Sequence, residues 1–370
     1  MIREAFILTD PASPSPPVAG VPLLLRTVLV LQRAGVERCV VVGAAAPRDP
    51  RIRCATASVP ALPDLPDAEP RLVIGPGAVI DPMLVEEVAA RARPGEAVEV
   101  AADGVAVRVA PGTLVRRNGA TVAVPRGRGF FRSVAAPALE RELLRGLENP
   151  RDGYLDRALH RRLSRPLTRL LLRTPLTPNA VTFLGVAAGV AGGCLLGAAS
   201  WWLVAAGVAC LVLSGVLDCC DGELARLRFA ESAFGHWLDV AGDTVVHVAV
   251  LGGLAARLVR TGPVPGAAVL GVLALGVAGA FGVISWSEQT EEQRHRVGAW
   301  ENRVLDGVLS PLSTRDWYLC VIPFALAGRL DRLVLGAAIG AHAFWIAGFV
   351  LVRRVLRRAQ LQGSAARVAQ

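Results

Sequence analysis

The sequence predicts a multi-domain protein: an N-terminal α/β domain followed by an all-α membrane domain of six transmembrane helices. Three observations carry this. Of the 370 residues, 53% are hydrophobic and only 19% charged, a balance more apolar than that of an ordinary soluble domain. Six apolar runs follow residue 180, at 180–200, 201–217, 236–256, 264–286, 317–328 with its flanks, and 333–352. Most approach the ~20 residues that cross ~30 Å of hydrocarbon as a helix. The first 150 residues contain no such run.

In chain order, residues 1–140 alternate apolar runs and helical patterns, REAFILTD, VPLLLRTVLVLQRAGV, RCVVVGAA, and RLVIGPGAVI followed by DPMLVEEVAARA, which read as strand, helix, strand, helix. That alternation predicts a mostly parallel sheet in a cytoplasmic domain. MIREAFILTDPASPSP has no long apolar core, so no cleavable signal is expected. Residues 141–175 form a linker containing DGYLDRALHRRLSRPLTRLLL, an amphipathic pattern suited to a membrane interface. Residues 176–356 make the membrane domain, and 357–370 a basic cytoplasmic tail. Arginine crowds the segment before the first span and the C-terminal tail, while the alternate loops near 197–200, 257–266 and 328–332 carry few. Positive flanks remain in the cytoplasm, which predicts a multi-pass cell (inner) membrane protein with both termini cytoplasmic.

All 40 basic residues are arginine; the chain has no lysine. This removes Schiff-base chemistry, a phosphate-loop lysine and a lysine base. The net charge of +9 sits beside the spans, where it faces anionic headgroups and marks topology rather than nucleic acid. The seven cysteines show no paired zinc spacing and read as small buried hydrophobes.

The stretch LDCCDGELARLRFAESAFGHWLDVAGD, residues 217–243, places four carboxylates among apolar residues. Asp218 and Asp221 share a helix face as i and i+3; Asp239 and Asp243 share one as i and i+4 at the start of the next span. A turn of about a dozen residues then lets the two helices pack antiparallel and bring the four together. Unpaired, such charge at a membrane boundary is very costly. Mg2+ or Mn2+ removes the cost by taking carboxylate oxygens while leaving positions open for substrate phosphates. Gly222 and Gly235 permit close approach of a ligand or a helix, Ala225 keeps its face small, and Arg226 offers a planar fork to a diphosphate.

The eight positions Asp218, Asp221, Gly222, Ala225, Arg226, Gly235, Asp239 and Asp243 resemble in full the signature of the CDP-alcohol phosphotransferase (CDP-alcohol phosphatidyltransferase) family. That resemblance implies six membrane helices, a homodimer, and transfer of a phosphoalcohol group from a CDP-alcohol to an acceptor hydroxyl with release of CMP. It also implies that Asp218, Asp221 and Asp239 hold the metals, two ions, and that Asp243 joins the metal site and acts as the catalytic base. LTPNAVT, residues 176–182, is similar to the family's approach to its first span, where Asn179 and Thr182 would lie near the nucleotide. It reads equally as a helix cap with Thr177 as cap and Pro178 at the first helical position. Arg315 reads as a topology-marking arginine or, by the same resemblance, as a contact to an acceptor's phosphate.

The N-terminal run VAGVPLLLRTVLVLQRAGVERCVVVG resembles sugar-nucleotide cytidylyltransferases, which implies a nucleotidyltransferase-like (Rossmann-like) fold. The whole chain is similar to the group in which an inositol-1-phosphate cytidylyltransferase is fused to a di-myo-inositol phosphate phosphate synthase. Where those transferases carry a glycine-rich loop and a lysine, this chain reads TDPASPSPPVAG, and Asp81 lies beyond the point at which a metal-binding aspartate is expected. The N-terminal domain is therefore expected to be degenerate, serving as scaffold, oligomer contact or regulatory module. Two substrate classes stay open: an inositol-phosphate-related donor and acceptor, or a phospholipid synthase taking CDP-diacylglycerol and a small polar acceptor. A non-catalytic membrane scaffold is the reading from another class.

Overall fold

The computed structural model describes residues 2–10, 17–63, 70–91, 98–102, 105–111, 120–121, 131–133, 139–147, 159–261, 266–290 and 318–368. Two units divide the chain. The first combines residues 1–148 with 169–175 and 223–231, and the second holds 149–168, 176–222 and 232–370.

In the first unit, strands β1 (Glu4–Leu8), β2 (Arg38–Val42), β3 (Ala55–Val59) and β4 (Pro70–Ile74) pair in the order β3-β2-β1-β4, all parallel. Helix α1 (Leu23–Arg33) links β1 to β2 and supplies the crossover that a parallel pair requires. Its residues Leu25, Val28, Leu29 and Leu31 pack with Ala5, Ile7, Leu72 and Ile74 from the strands. Phe6, Val40, Val42 and Val73 form a second cluster, so β1, β2 and β4 are apolar on both sides, as parallel strands are.

Beyond β4 the mostly parallel sheet turns mixed, with two antiparallel pairs and then a parallel one. β6 (Val98–Ala102) and β7 (Val105–Pro111) pair antiparallel, β7 pairs antiparallel with β4, and β8 (Ala120–Thr121) closes the seven-stranded sheet beside β6. Two residues separate β6 from β7, enough for a hairpin and far too few for a parallel crossover. β5 (Ala78–Ile80) and β9 (Phe131–Ser133) form a separate antiparallel pair; α2 (Pro82–Arg91) and α3 (Leu139–Arg145) complete this part of the unit.

Asp81 precedes α2 and accepts a hydrogen bond from the Met83 N–H at 2.8 Å. Burial lifts its carboxyl above the usual range, against the pull of that bond and of Arg26. A carboxylate raised on folding opposes stability once the pH exceeds its unfolded value of about 4. Asp81→Asn keeps the capping oxygen and loses the charge. It is expected to raise the thermal unfolding temperature of the full chain at neutral pH, with the gain vanishing below about pH 4, where both residues are neutral.

The second unit is helical. α4 (Arg161–Leu171) runs from it into the first unit, followed by α5 (Pro178–Leu196), α6 (Trp201–Arg228), α7 (Ala233–Thr261), α8 (Gly266–Gln289), α9 (Tyr318–Leu326) and α10 (Leu330–Val368). Among the described residues, four stretches are long and apolar enough to cross a membrane: Pro178–Leu196, Trp201–Arg228, Ala233–Arg260 and Leu330–Arg358. The apolar core of α8, Gly271–Ser287, is shorter, and α9 has nine residues. Large side chains such as Phe183, Trp202, Val248, Leu275 and Phe281 point outward, an apolar surface that suits lipid better than water. The chain is thus a membrane protein by its helices. On α4 it is the polar residues Arg161, Ser164 and Thr168 that are buried, while Leu163 and Leu170 are exposed, the arrangement of a helix whose apolar side meets an interface.

α6 outruns its apolar stretch. The sequence reading ends that run near Leu217 and places about a dozen residues of turn before the next acids. The helix instead continues to Arg228, and α7 begins at Ala233. Leu, Ala, Arg and Glu in GELARLR are strong helix formers and carry the helix past the last apolar residue. It ends at Phe229, whose φ of +54° is left-handed, a conformation costing a non-glycine residue about 1–2 kcal/mol. Burial of the ring in the core of the first unit, at 8% exposure, offsets that cost.

Candidate metal and phosphate site

Glycines set the site's dimensions. A methyl group on Gly189 of α5 would lie 2.5 Å from Val246 of α7 and 2.8 Å from the Ser214 hydroxyl of α6. One on Gly242 of α7 would lie 2.5 Å from Val186 of α5. α5, α6 and α7 therefore meet at a separation that side chains there would prevent, as small residues allow in membrane helices.

Into this junction the helices bring four acids. Oxygens of Asp218, Asp221 and Asp239 all lie within 4.8 Å of one another. Asp243, one turn beyond Asp239, lines the same cavity, which is completed by Thr182, Gly185, Val186, Ser214 and Val246. Asp221 is the most enclosed of the acids, at 7% exposure. The Thr182 hydroxyl donates to Asp221 Oδ2 at 2.6 Å and so orients the carboxylate within the cluster.

Three carboxylates this close repel one another strongly in a low-dielectric setting. An all-oxygen donor set facing an open cavity answers that repulsion by holding a hard divalent cation such as Mg2+ or Mn2+. The residues present fit such an ion.

The other predicted residues are placed as follows. Thr177 accepts a hydrogen bond from the Ala180 N–H at 3.2 Å with Pro178 at the first helical position, so LTPNAVT is a helix cap; the same turn carries Thr182 to the cavity. Asn179 lies beside Gly235: a methyl group there would be 3.2 Å from the Asn179 Oδ1. Gly222 follows Asp221 directly on α6 and is half-buried. Ala225 and Arg226 lie further along the same helix, in the stretch grouped with the first unit. Arg315 lies outside the described residues. Sequence reasoning missed Ser214 as a cavity residue, although its position four before Asp218 puts it on the face of the acids.

Thr182→Val keeps the shape of the side chain and removes the donor to Asp221. It is expected to weaken Mn2+ binding by about 10-fold to 100-fold, as loss of a group orienting a metal ligand does. Titration calorimetry on the detergent-solubilised chain measures it.

Comparison with known proteins finds a family model and several relatives that match the helical part of the chain. The family model CDP-alcohol phosphatidyltransferase matches residues 175–353. The phosphatidylinositol phosphate synthase of Mycobacterium marinum is 43% identical over 102 residues, 27% of this chain and 42% of that protein. The bifunctional IPC transferase and DIPP synthase of Rubrobacter xylanophilus is 38% identical over 104 residues, 28% of this chain and 23% of that protein. The apo crystal structure of Mycobacterium tuberculosis phosphatidylinositol phosphate synthase aligns over 50% of this chain and 94% of its own, with 23% identity and a TM-score of 0.33. The match spans less than half the length of either curated relative. The four aspartates that converge on one cavity all lie inside residues 175–353, the segment that the CDP-alcohol phosphatidyltransferase family model matches.

Proposed function

We propose that the chain is a membrane transferase that moves a phosphoalcohol group from a CDP-alcohol to an acceptor hydroxyl and releases CMP. The observation that carries this reading is the convergence of Asp218, Asp221 and Asp239 to within 4.8 Å, with Asp243 on the same cavity. Asp218, Asp221 and Asp239 hold divalent metal, with Asp243 at its edge. When bound, such ions neutralise the diphosphate and stabilise the departing CMP. Asp243, one helical turn deeper on α7, accepts the proton of the acceptor hydroxyl as that oxygen attacks the phosphorus. Thr182 orients Asp221, and Asn179 and Gly235, which lie side by side, border the nucleotide. Gly222, Ala225 and Arg226 continue the donor surface along α6.

The names of the relatives support an inositol-phosphate connection, since phosphatidylinositol phosphate and di-myo-inositol phosphate both contain phosphorylated inositol. They divide on the donor. The degenerate N-terminal domain supports a soluble CDP-alcohol such as CDP-inositol, by ancestry. The identity to the Mycobacterium marinum synthase supports the second reading, a phosphatidyltransferase taking CDP-diacylglycerol. Six spans, with α8 and the region of α9 as the additional two, a cytoplasmic site and a homodimer complete the proposal. Arg315 is proposed to hold the acceptor's phosphate.

The test is CMP release by the purified, detergent-solubilised chain with Mg2+ or Mn2+, using CDP-inositol, CDP-glycerol and CDP-diacylglycerol crossed with inositol, inositol phosphate and glycerol phosphate. Release requiring metal and one donor–acceptor pair supports the reading and names its substrates. Silence from every pair, together with no metal-dependent binding of a CDP-alcohol, would sink it.

A further inference from the structure

The helix that carries Asp218 and Asp221 ends inside the first unit. A helix leaves its last four carbonyls without partners in the helix, and at the end of α6 two of these are taken by arginines from far up the chain. Arg26 of α1 donates to the Leu227 carbonyl at 2.9 Å, and Arg51 donates to the Arg228 carbonyl at 2.7 Å. Arg26 is only 5% exposed, so its charge is spent on this contact and on the ring of Phe229, whose centroid lies 5.2 Å from the guanidinium. Arg33 covers the same ring at 4.2 Å and pairs with Glu231. The grip extends to α4: Arg228 donates to the carbonyls of Leu171, Leu172 and Thr174 at 3.2, 3.3 and 2.9 Å. Asp49 in turn holds Arg51 through two bonds, at 2.7 and 2.8 Å.

We propose that the N-terminal unit is a clamp on the metal-binding helix, with Arg26 and Arg51 as positioning residues that cap α6 and fix the rotation and register of Asp218 and Asp221. This rests on the reading of the four aspartates as the reaction centre. Asp221 stands seven residues, about two helical turns, before Arg228, and both positions belong to the one helix α6. Positive guanidinium groups at the C-terminal end also complement the helix dipole. The N-terminal unit thus has a task that needs only its arginines and its core.

Phe229→Gly separates the clamp from the helix end. Glycine suits the left-handed turn better than phenylalanine, so a helix that merely stops there would be unharmed or steadied. A clamp would lose its anchor. Arg26→Gln and Arg51→Gln remove the caps singly; Arg51, nearer the surface, is the variant to use if Arg26→Gln fails to fold. Arg38→Gln, whose partner is Glu4, is the control within the same unit. In the full chain, amide hydrogen exchange across residues 215–228 and Mn2+ affinity by calorimetry are read beside kcat and KM for CMP release.

The expected result is faster exchange at the end of α6 in all three variants, with Mn2+ affinity about threefold to tenfold weaker for each lost charged hydrogen bond. kcat falls at low metal and recovers as metal is raised, and Arg38→Gln matches the wild type. Unchanged exchange, or faster exchange with Mn2+ affinity intact, overturns the clamp while the transferase reading stands. A wild-type chain that binds no Mn2+ overturns both.

Discussion

Asp243→Asn is expected to lower kcat for CMP release by about 10²–10⁴, the usual contribution of a positioned general base, while Mn2+ binding persists. Asparagine keeps the size and one oxygen of the side chain and cannot accept the hydroxyl proton. The cluster of close oxygens is Asp218, Asp221 and Asp239, with Asp243 on the cavity wall beside it. Removing charge from Asp243 therefore leaves the tight donor set in place. Asp239→Asn gives the opposite pattern: Mn2+ binding is lost along with activity, because one of three oxygens within 4.8 Å of one another no longer carries charge. Calorimetry and single-turnover CMP release on the two variants separate the roles. If Asp243→Asn loses metal binding as completely as Asp239→Asn, its place is among the ligands and the base must be sought elsewhere. If it retains full kcat, the proton goes directly to water or to substrate phosphate.

The four aspartates were legible in the sequence because the helical period is a local property: spacings of three and four place acids on a common face whatever the surroundings. Spacing alone does not say which of them come closest; the family resemblance points to Asp218, Asp221 and Asp239, the three whose oxygens lie within 4.8 Å of one another. How close they come depends on the offset between α6 and α7, and Gly189 and Gly242 set this through contacts with Val246, Ser214 and Val186. The length of α6 was misjudged for a physical reason: apolarity reports where hydrocarbon ends, whereas helix propensity reports where the helix ends, and GELARLR is polar and helical at once. The parallel strands followed from apolar runs separated by a helix. The two antiparallel pairs did not, since the pairing of β7 with β4 is fixed by partners far apart in sequence. The same limit hid the bond from Arg26 to Leu227, which joins residues 201 positions apart.

Gly193→Ala is expected to destabilise the membrane domain by about 1–3 kcal/mol or more, the range for forcing added volume into a packed interior. A methyl group on Gly193 would sit 2.5 Å from the Ala249 carbonyl carbon and 2.6 Å from the Val250 nitrogen. Both are backbone atoms of α7 and cannot swing aside as a side-chain end can. Gly253 faces the same seam from the other helix, and a methyl group there would fall 1.9 Å from the Gly193 carbonyl oxygen. To relieve either contact α5 and α7 must separate, and the separation carries Thr182 and Asp239 apart with them. Mn2+ affinity should therefore fall together with the thermal midpoint in detergent. Gly252→Ala supplies the comparison, since a methyl group on Gly252 meets nothing within 4 Å. There alanine's better helix propensity, worth about 1 kcal/mol, should leave the midpoint equal or higher. Equal midpoints for Gly193→Ala and Gly252→Ala would mean that the α5–α7 seam yields, and that glycine is not what sets the distance between the helices that bear the site.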